Sequence, residues 1–339
     1  MRGLMGPKRF GIGTLGLQLR RAMAREYARF RPDVVHVHGL LPAGVLALGS
    51  PSPFVVTGHG SEAYALAWRR TGLQELAGEI LDAAGRVAAV SDFVAGHLRR
   101  LGREDVSVIY NGADERTFAP RDRSESRAKL DFPAARPVIA FTGHIVAEKG
   151  VFDLIHAAAS LGDLAPVLAL AGAGDRTNDA RRLAQALNVD VRFFGRLEHE
   201  RLAVLLGACD VFALPSYAEG LPTAICEAMM AGRAVVATRV GGIPEIVRND
   251  ITGSIVEPGD VDALARALRA MLEDGSRRER CAAEAHAFAL RRLSWRANAA
   301  RYEELYEELY GNAIVAESAG IVAGAAAPLV ESVPPSATP

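Results

Sequence analysis

Cysteine is scarce in this sequence of 339 residues, which contains three. Cys209, Cys226 and Cys281 form no Cys-x-x-Cys pair, and three cysteines cannot build a framework of paired disulfides. We therefore expect three core thiols in a protein from a reducing compartment.

Net charge is nearly absent as well. The chain has 39 Lys and Arg against 40 Asp and Glu, a net charge of -1, so it has no overall positive field that would attract nucleic acid or anionic lipid. We expect no nucleic-acid partner, and any other partner must be recognised by a local site.

Long apolar runs are also missing. No uncharged apolar stretch approaches the roughly 20 residues that span a bilayer, and the basic start "MRGLMGPKRFGIGT" lacks the continuous apolar segment of a signal peptide. We expect a cytoplasmic protein, either free in solution or bound at the inner face of the membrane through its first domain.

Half of the residues are hydrophobic, and their pattern indicates an α/β protein. Short β-branched runs alternate with longer alanine- and leucine-rich stretches of helical period, which is typical of parallel strands joined by crossover helices. The pattern predicts four strands in the first part of the chain and six in the second, at 34–37, 54–57, 86–90, 106–109, 138–142, 167–171, 191–194, 211–214, 234–238 and 253–256.

These strands divide between two domains. A charged, proline-containing and aperiodic stretch separates them and is typical of a linker, while the small-residue, proline-rich C-terminus is typical of a disordered segment. We predict a first domain at 1–118, which opens with a helix at 14–30, then a linker at 119–136 and a second domain at 137–292. We predict that a helix at 293–311 packs back on the first domain and that a disordered tail follows at 312–339.

Two glutamates stand close together in "PSYAEGLPTAICEAMMAGRAVVATRVGGIPEIV", residues 215–247. Gly220 and Pro222 suit a turn and the first position of a helix, so we predict that Glu219 lies in the loop and Glu227 on a helix over 222–231. The N-terminus of such a helix attracts phosphate, and carboxylates accept hydrogen bonds from hydroxyls. A sugar nucleotide carries both groups. In the competing interpretation, both charges only favour the helix N-terminus, by less than about 1 kcal/mol.

Residues 219–247 resemble the signature of retaining glycosyltransferases of family four, which have the GT-B fold of two Rossmann-like, doubly wound parallel-sheet domains that face each other across a cleft. The resemblance covers about 31–310. It includes, in the family's order, "DVVHVHG", "VVTGHGSE", "AAVSDFV", "VIYNGADERTF", "FTGHIVAEKG", "LALAGAGD", "VRFFGRLEHERLAVLLGACDVFALPS" and "SWRANAARYEELY".

The resemblance implies roles for individual residues. Glu219 contacts the hydroxyls of the donor sugar and Glu227 the ribose, Lys149 neutralises the diphosphate, and His59 approaches the reacting sugar from the first domain. The catalytic set is then His59, Lys149 and Glu219. The donor-binding set is Gly143, His144, Lys149, Glu219, Gly220, Leu221, Pro222, Thr223 and Glu227.

Neither a metal nor another cofactor is expected. Negative charge develops on the leaving diphosphate, and a positioned cation together with a helix dipole stabilises it. The sequence has no Asp-x-Asp motif.

The chain departs from the family pattern at two places. His144 stands where the family usually has an arginine, so one phosphate contact is lost or depends on pH near the ordinary histidine pKa of about 6.5. The family also normally opens with a strand and a glycine-rich loop, which this sequence does not show, so we expect the first domain to be incomplete at its start.

Three further groups of residues favour packing over chemistry. His36 and His38 alternate on one strand and share a face, but no third metal ligand accompanies them, so we expect them to be packed or to line the cleft. Tyr302, Tyr306 and Tyr310 recur every four residues, which is typical of a helix packing stripe. "GAGD", 172–175, fails as a dinucleotide fingerprint because its third glycine would fall on Thr177.

We therefore expect a glycosyltransferase that moves a sugar from a nucleotide-sugar donor to a hydroxyl acceptor with retention, in polysaccharide or cell-envelope assembly. The acceptor would be a sugar, a lipid-linked sugar or a small molecule. Two alternatives remain open: a sugar-nucleotide epimerase of the same fold, and a nucleotide-binding protein without transferase activity.

Overall fold

The computed structural model describes residues 13–60 and 71–318. Their strands form two parallel sheets, and each predicted strand is confirmed to within two residues. The first sheet contains β1 Val35–His38, β2 Phe54–Gly58, β3 Arg86–Ala89 and β4 Ser107–Val108. The second contains β5 Val138–Thr142, β6 Val167–Ala171, β7 Val191–Gly195, β8 Val211–Leu214, β9 Ala234–Thr238 and β10 Gly253–Val256.

Helices connect the strands and cover the sheets. The predicted opening helix is confirmed, and the predicted helix over 222–231 runs from Thr223 to Met230. The helices are α1 Gly13–Phe30, α2 Ala43–Ala47, α3 Thr71–Ala83, α4 Asp92–Arg100, α5 Arg123–Lys129, α6 Val151–Ala159, α7 Thr177–Ala186, α8 His199–Ala208, α9 Thr223–Met230, α10 Ile243–Ile246, α11 Val261–Glu273, α12 Gly275–Arg292 and α13 Trp295–Ser318. Among the helices of the described residues, none is both long enough and apolar enough to cross a bilayer.

Strand order sets the place where a ligand can bind. The first sheet runs in chain order, β1-β2-β3-β4, whereas the second runs β10-β9-β8-β5-β6-β7. The order of the second sheet reverses between β5 and β8, and open α/β sheets bind ligands in the crevice at the carboxyl ends of the strands beside such a reversal. The loops that follow β5 and β8 therefore border the expected crevice.

The core lies on both faces of the second sheet. Every residue of β5, β6, β8 and β9 is buried, as expected for parallel strands that helices cover on each side. The three cysteines are buried free thiols, as predicted. Burial raises the pKa of the Cys209 thiol to about 12 and that of Cys281 less far, so the thiols stay protonated at neutral pH.

The predicted linker 119–136 is not aperiodic throughout, because it contains α5. The carboxylate of Asp122 accepts a hydrogen bond from the backbone N–H of Glu125 at 2.8 Å and caps this helix. Arg127 forms an ion pair of 2.5 Å with Asp210, which precedes β8, and so holds α5 against the second domain. Hydrophobic periodicity missed α5 because a cap and an ion pair fix this helix, not an apolar stripe.

Helix α13 returns from the second domain to the first sheet. The Tyr306 hydroxyl lies 2.6 Å from His36 of β1, and Arg86 of β3 pairs with Glu308 at 3.2 Å. Since α13 continues to Ser318, the predicted disordered tail 312–339 is wrong for 312–318, and residues 319–339 lie outside the described residues. The bounds of the two domains stay a prediction.

The chain crosses between the domains at two adjacent segments. The backbone N–H of Ala113 donates to the carbonyl of Leu293 at 2.8 Å, and the N–H of Trp295 donates to the carbonyl of Ala113 at 3.2 Å. Asn298 adds a side-chain bond to the carbonyl of Tyr110 at 2.8 Å. The outgoing and returning segments are thus hydrogen-bonded to each other.

Candidate functional site

The loops that follow β5 and β8 touch at a glycine. Gly150 has φ 68° and lies against Pro215, whose carbonyl oxygen would be 1.9 Å from a Cβ at position 150. Position 150 therefore accepts only glycine, in a left-handed conformation and at close approach. This contact brings Lys149 of the β5 loop to Glu219 of the β8 loop.

Lys149 and Glu219 form an ion pair. The Nζ atom of Lys149 lies 2.6 Å from Oε1 of Glu219, and their side chains are 28% and 8% exposed. The family resemblance implies separate partners for the two residues, diphosphate for Lys149 and sugar hydroxyls for Glu219, whereas in the structure each contacts the other. A pair so little exposed is sensitive to the loss of either member, since the remaining charge keeps its burial and loses its partner.

A cavity of about 310 Å³ lies at the carboxyl ends of β5, β6 and β7, and neither Lys149 nor Glu219 lines it. Four residues of the predicted donor-binding set line it: Gly143, His144, Thr223 and Glu227. The lining also includes the exposed Arg196, directly after β7, which the sequence did not single out. The position of an arginine directly after a strand is a signal for a residue at that edge of the sheet, but it does not indicate which strands border the cavity.

Glycines of the "GAGD" segment shape this cavity. A Cβ at Gly172, which has φ 140°, would lie 1.8 Å from the carbonyl oxygen of Gly143, and a Cβ at Gly174 would lie 2.2 Å from that of Ile145. The two glycines let the β6 loop pack directly on the β5 loop, a role unrelated to dinucleotide binding.

Glu227 is the titratable acid of the cavity. Burial raises the pKa of its carboxyl from 4.5 to about 7, because the charged form is poorly hydrated there. The group is therefore divided between its neutral and ionised forms at neutral pH. A ligand that donates hydrogen bonds to the carboxylate favours the ionised form.

The start of α9 supplies a positive pole. Thr223 and Ala224, its first two residues, line the cavity, and no side chain caps the helix at Pro222. The first N–H groups of a helix have no partner within the helix, and they concentrate the positive end of its dipole. This end of the cavity suits a phosphate group.

The first domain touches the second at the Glu219–Gly220 turn. A Cβ on Gly220 would lie 2.0 Å from the carbonyl oxygen of His59, and a Cβ on Gly60, which has φ 122°, would lie 2.7 Å from the Cα of Gly220. Two glycines thus let the backbones of the two domains meet directly. The contact brings His59, predicted to approach the site from the first domain, beside Glu219.

Polar bonds across the domain boundary reinforce this contact. The carboxylate of Glu245 on α10 accepts hydrogen bonds from the backbone N–H groups of Asp92 and Phe93, both at 2.9 Å, and so caps α4 of the other domain. Ser91 donates to the carbonyl of Gly220 at 3.2 Å, and Asn111 donates to that of Leu221 at 2.7 Å. The sequence did not predict these bonds.

Two family models match the chain in sequence. Glycosyltransferase Family 4 matches residues 4–117, and Glycosyl transferases group 1 matches residues 122–288. The chain belongs to glycosyltransferase family 4. This family 4 chain has the GT-B fold, with its two parallel sheets in separate α/β units, as the resemblance implied.

Known proteins similar to this family 4 chain include one curated relative and two solved structures. A GDP-mannose-dependent monoacylated alpha-(1-6)-phosphatidylinositol monomannoside mannosyltransferase of Corynebacterium glutamicum is 36% identical over 197 residues, 55% of this chain and 51% of its own length. Sucrose-phosphate synthase from Thermosynechococcus elongatus is 26% identical with a TM-score of 0.78, covering 87% of this chain and 78% of the other. An Anabaena protein crystallised with UDP-glucose is 23% identical with a TM-score of 0.74, covering 85% and 81%.

The chain spans about half the length of the curated relatives that it matches first. Its residues share the family's order of motifs, and the roles that the resemblance gives to single residues stay predictions.

Proposed function

We propose that the protein transfers a sugar from a nucleotide-sugar donor to a hydroxyl group, with retention at the anomeric carbon, in the assembly of polysaccharide or cell-envelope glycoconjugates. One observation carries the proposal. A cavity with a carboxylate, Glu227, and an uncapped helix start in its wall lies between the loops that also carry the Lys149–Glu219 pair, and the backbone of Gly220, next to Glu219, meets the carbonyl of His59 from the other domain.

Each part of a nucleotide sugar finds a chemical counterpart there. The ribose hydroxyls would donate to Glu227, the diphosphate would face the start of α9 and the ammonium of Lys149, and the sugar hydroxyls would donate to Glu219. His59 would approach the sugar from the acceptor side. The chain's part in the reaction is to stabilise the charge that develops on the departing diphosphate with a helix dipole and a cation.

The names of the relatives do not identify the nucleotide base of the donor or the acceptor. The Corynebacterium glutamicum relative is named for GDP-mannose and a phosphatidylinositol monomannoside, and the Anabaena structure contains UDP-glucose. A guanine donor with a lipid-linked acceptor and a uracil donor are therefore both candidates. We infer a nucleotide-sugar donor without assigning its base.

The test incubates the protein with UDP-, GDP- and ADP-sugars, with and without sugar and glycolipid acceptors. Released nucleoside diphosphate and the anomeric configuration of the product are followed by NMR. We expect an α-configured product from an α-configured donor. An isomerised donor in the absence of acceptor would indicate the epimerase instead, and calorimetric binding without turnover would indicate a binding protein.

The pH dependence of donor binding tests the role of Glu227. Because the pKa of its carboxyl is about 7 in the free protein, the ionised form, which accepts the stronger hydrogen bonds, is lost as the pH falls below 7. We expect the dissociation constant of the donor, measured by calorimetry, to rise by up to about tenfold between pH 8 and pH 6. Glu227→Gln should bind more weakly at pH 8 and show a flatter profile; an unchanged slope would contradict the assignment.

Helix α1 supports a further part of the proposal, peripheral association with anionic membranes through the first domain. Arg21, Arg25 and Arg29 follow each other at intervals of four residues on α1, and all three are exposed. Each basic residue near an anionic bilayer contributes about 1 kcal/mol. Replacing the three by glutamine should weaken binding to phosphatidylglycerol vesicles in a flotation assay by on the order of a hundredfold.

A control variant with the same loss of charge distinguishes a specific role of α1 from a general effect of net charge. Binding should change little when the substituted residues are three exposed arginines of α12 and α13, namely Arg280, Arg291 and Arg296. Equal losses in the two triple variants would contradict a docking role for α1.

A further inference from the structure

Three histidine side chains of the first domain, His36, His38 and His59, form a continuous row that ends at the domain boundary. The rings of His36 and His38, on β1, are in contact, with centroids 4.3 Å apart and planes inclined by 31°. The Nδ1 atom of His38 lies 2.9 Å from Nε2 of His59, the residue whose carbonyl oxygen meets Gly220. The row of histidines therefore begins on β1, an edge strand of the first sheet, and ends beside the proposed site.

His36, at the end of the row away from the proposed site, is held in place by hydrogen bonds. His36 has hydrogen-bond partners at both ring nitrogens, since Nε2 lies 2.7 Å from Oγ1 of Thr57 and Nδ1 lies 2.6 Å from the hydroxyl of Tyr306. The Tyr302 hydroxyl lies 3.3 Å from the same Thr57 oxygen. Helix α13 thus holds His36 from one side and β2 holds it from the other.

His36 remains neutral in this setting. Burial, assisted by His38 and His59, lowers the pKa of His36 to about 4, so its ring carries no charge at neutral pH. A neutral ring with both nitrogens engaged has no proton to exchange with a substrate. Its position under His38 makes it a support.

The bond between His38 and His59 has a chemical consequence. Only one proton fits between two ring nitrogens 2.9 Å apart, so one ring donates and the other accepts. The hydrogen bond at one nitrogen of an imidazole selects its tautomer and fixes the direction of the ring. His38 is therefore placed to set both properties for His59.

We propose that His38 is a positioning residue of the transfer reaction. The Nδ1 atom of His38 orients the His59 imidazole, and the ring contact with His36 holds His38 in place. The inference rests on the proposed function, because it gives His59 its role at the reacting sugar. His38 does not line the nucleotide cavity, so its loss acts on turnover and leaves donor binding nearly unchanged.

Two substitutions at His38 test this role. His38→Leu removes the hydrogen bond, and a misplaced reacting group lowers the rate by about a hundredfold, so we expect that loss in kcat with a donor KM within about threefold. His38→Asn keeps a polar group near the position of Nδ1 and should recover most of the rate. His156→Leu, at an exposed histidine of α6, is the matched control and should behave as the unmodified protein.

NMR of the 15N-labelled histidines provides a readout that does not need turnover, with His59 assigned by its loss in His59→Gln. The Nε2 shift of His59 should change in His38→Leu and return towards its original value in His38→Asn. An unchanged shift, or an asparagine variant as slow as the leucine variant, overturns the inference. No turnover in the unmodified protein, together with the expected shifts, would instead contradict the proposed function and leave the His38–His59 bond supported.

Discussion

Gly220→Ala should reduce sugar transfer by at least about a hundredfold, a larger effect than any weakening of donor binding. The new methyl group would lie 2.0 Å from the carbonyl oxygen of His59, which belongs to the backbone and cannot turn aside as a side chain can. The two domains must then separate, and a displacement of about 1 Å between reacting groups costs roughly a hundredfold in rate. Transfer kinetics and donor calorimetry on the same preparation measure the two effects.

Gly96→Ala is the matched control for this prediction. Gly96 lies within α4 of the first domain, and nothing is within 4 Å of the Cβ that alanine would add. Helix propensity favours alanine there by about 1 kcal/mol, so the control should be active and at least as stable. If Gly220→Ala transferred sugar as fast as this control, the contact between His59 and Gly220 would not belong to the working arrangement.

Lys149→Met should lower kcat by roughly a hundredfold to a thousandfold, the usual effect of removing one group that stabilises developing negative charge. Methionine keeps most of the side-chain volume and removes the ammonium. It also takes the positive charge away from the carboxylate of Glu219, which is 8% exposed. The variant should therefore lose stability as well, by about 1–3 kcal/mol in denaturant unfolding.

The double variant Lys149→Met/Glu219→Gln separates the two effects. The second substitution removes the buried negative charge that has lost the Lys149 ammonium, so stability should return towards that of the unmodified protein. Activity should stay low, because both proposed contacts to the donor are gone. Lys129→Met, at an exposed lysine of α5, is the control for a charge loss elsewhere. Recovered activity in the double variant would mean that the pair is structural only.

The strands and the direction of their loops could be predicted from the sequence because buried parallel strands appear as short apolar runs. Lys149 and Glu219 were both singled out from glycine-bounded turns after such runs. Their pairing could not be predicted, since it depends on β8 lying beside β5, and the sequence does not state strand order. Arg196 enters the site for the same reason, through the position of β7.

Contacts between the domains were beyond prediction for a different reason. Glu245 caps a helix that begins 153 residues earlier in the chain, and nothing near either residue signals the other. Helix α5 could not be predicted because its seven residues include no apolar stripe. Both features are held by a few polar bonds, which hydrophobic periodicity does not record.

The two adjacent crossings between the domains, near Ala113 and Leu293, have a mechanical consequence. Because they are hydrogen-bonded side by side, we expect them to bend together, so that an opening of the cleft would turn about one line. A rotation about a fixed line returns each atom along the same arc. The glycine-to-glycine contact between Gly60 and Gly220, which tolerates no extra methyl group, requires a return of that accuracy after every opening.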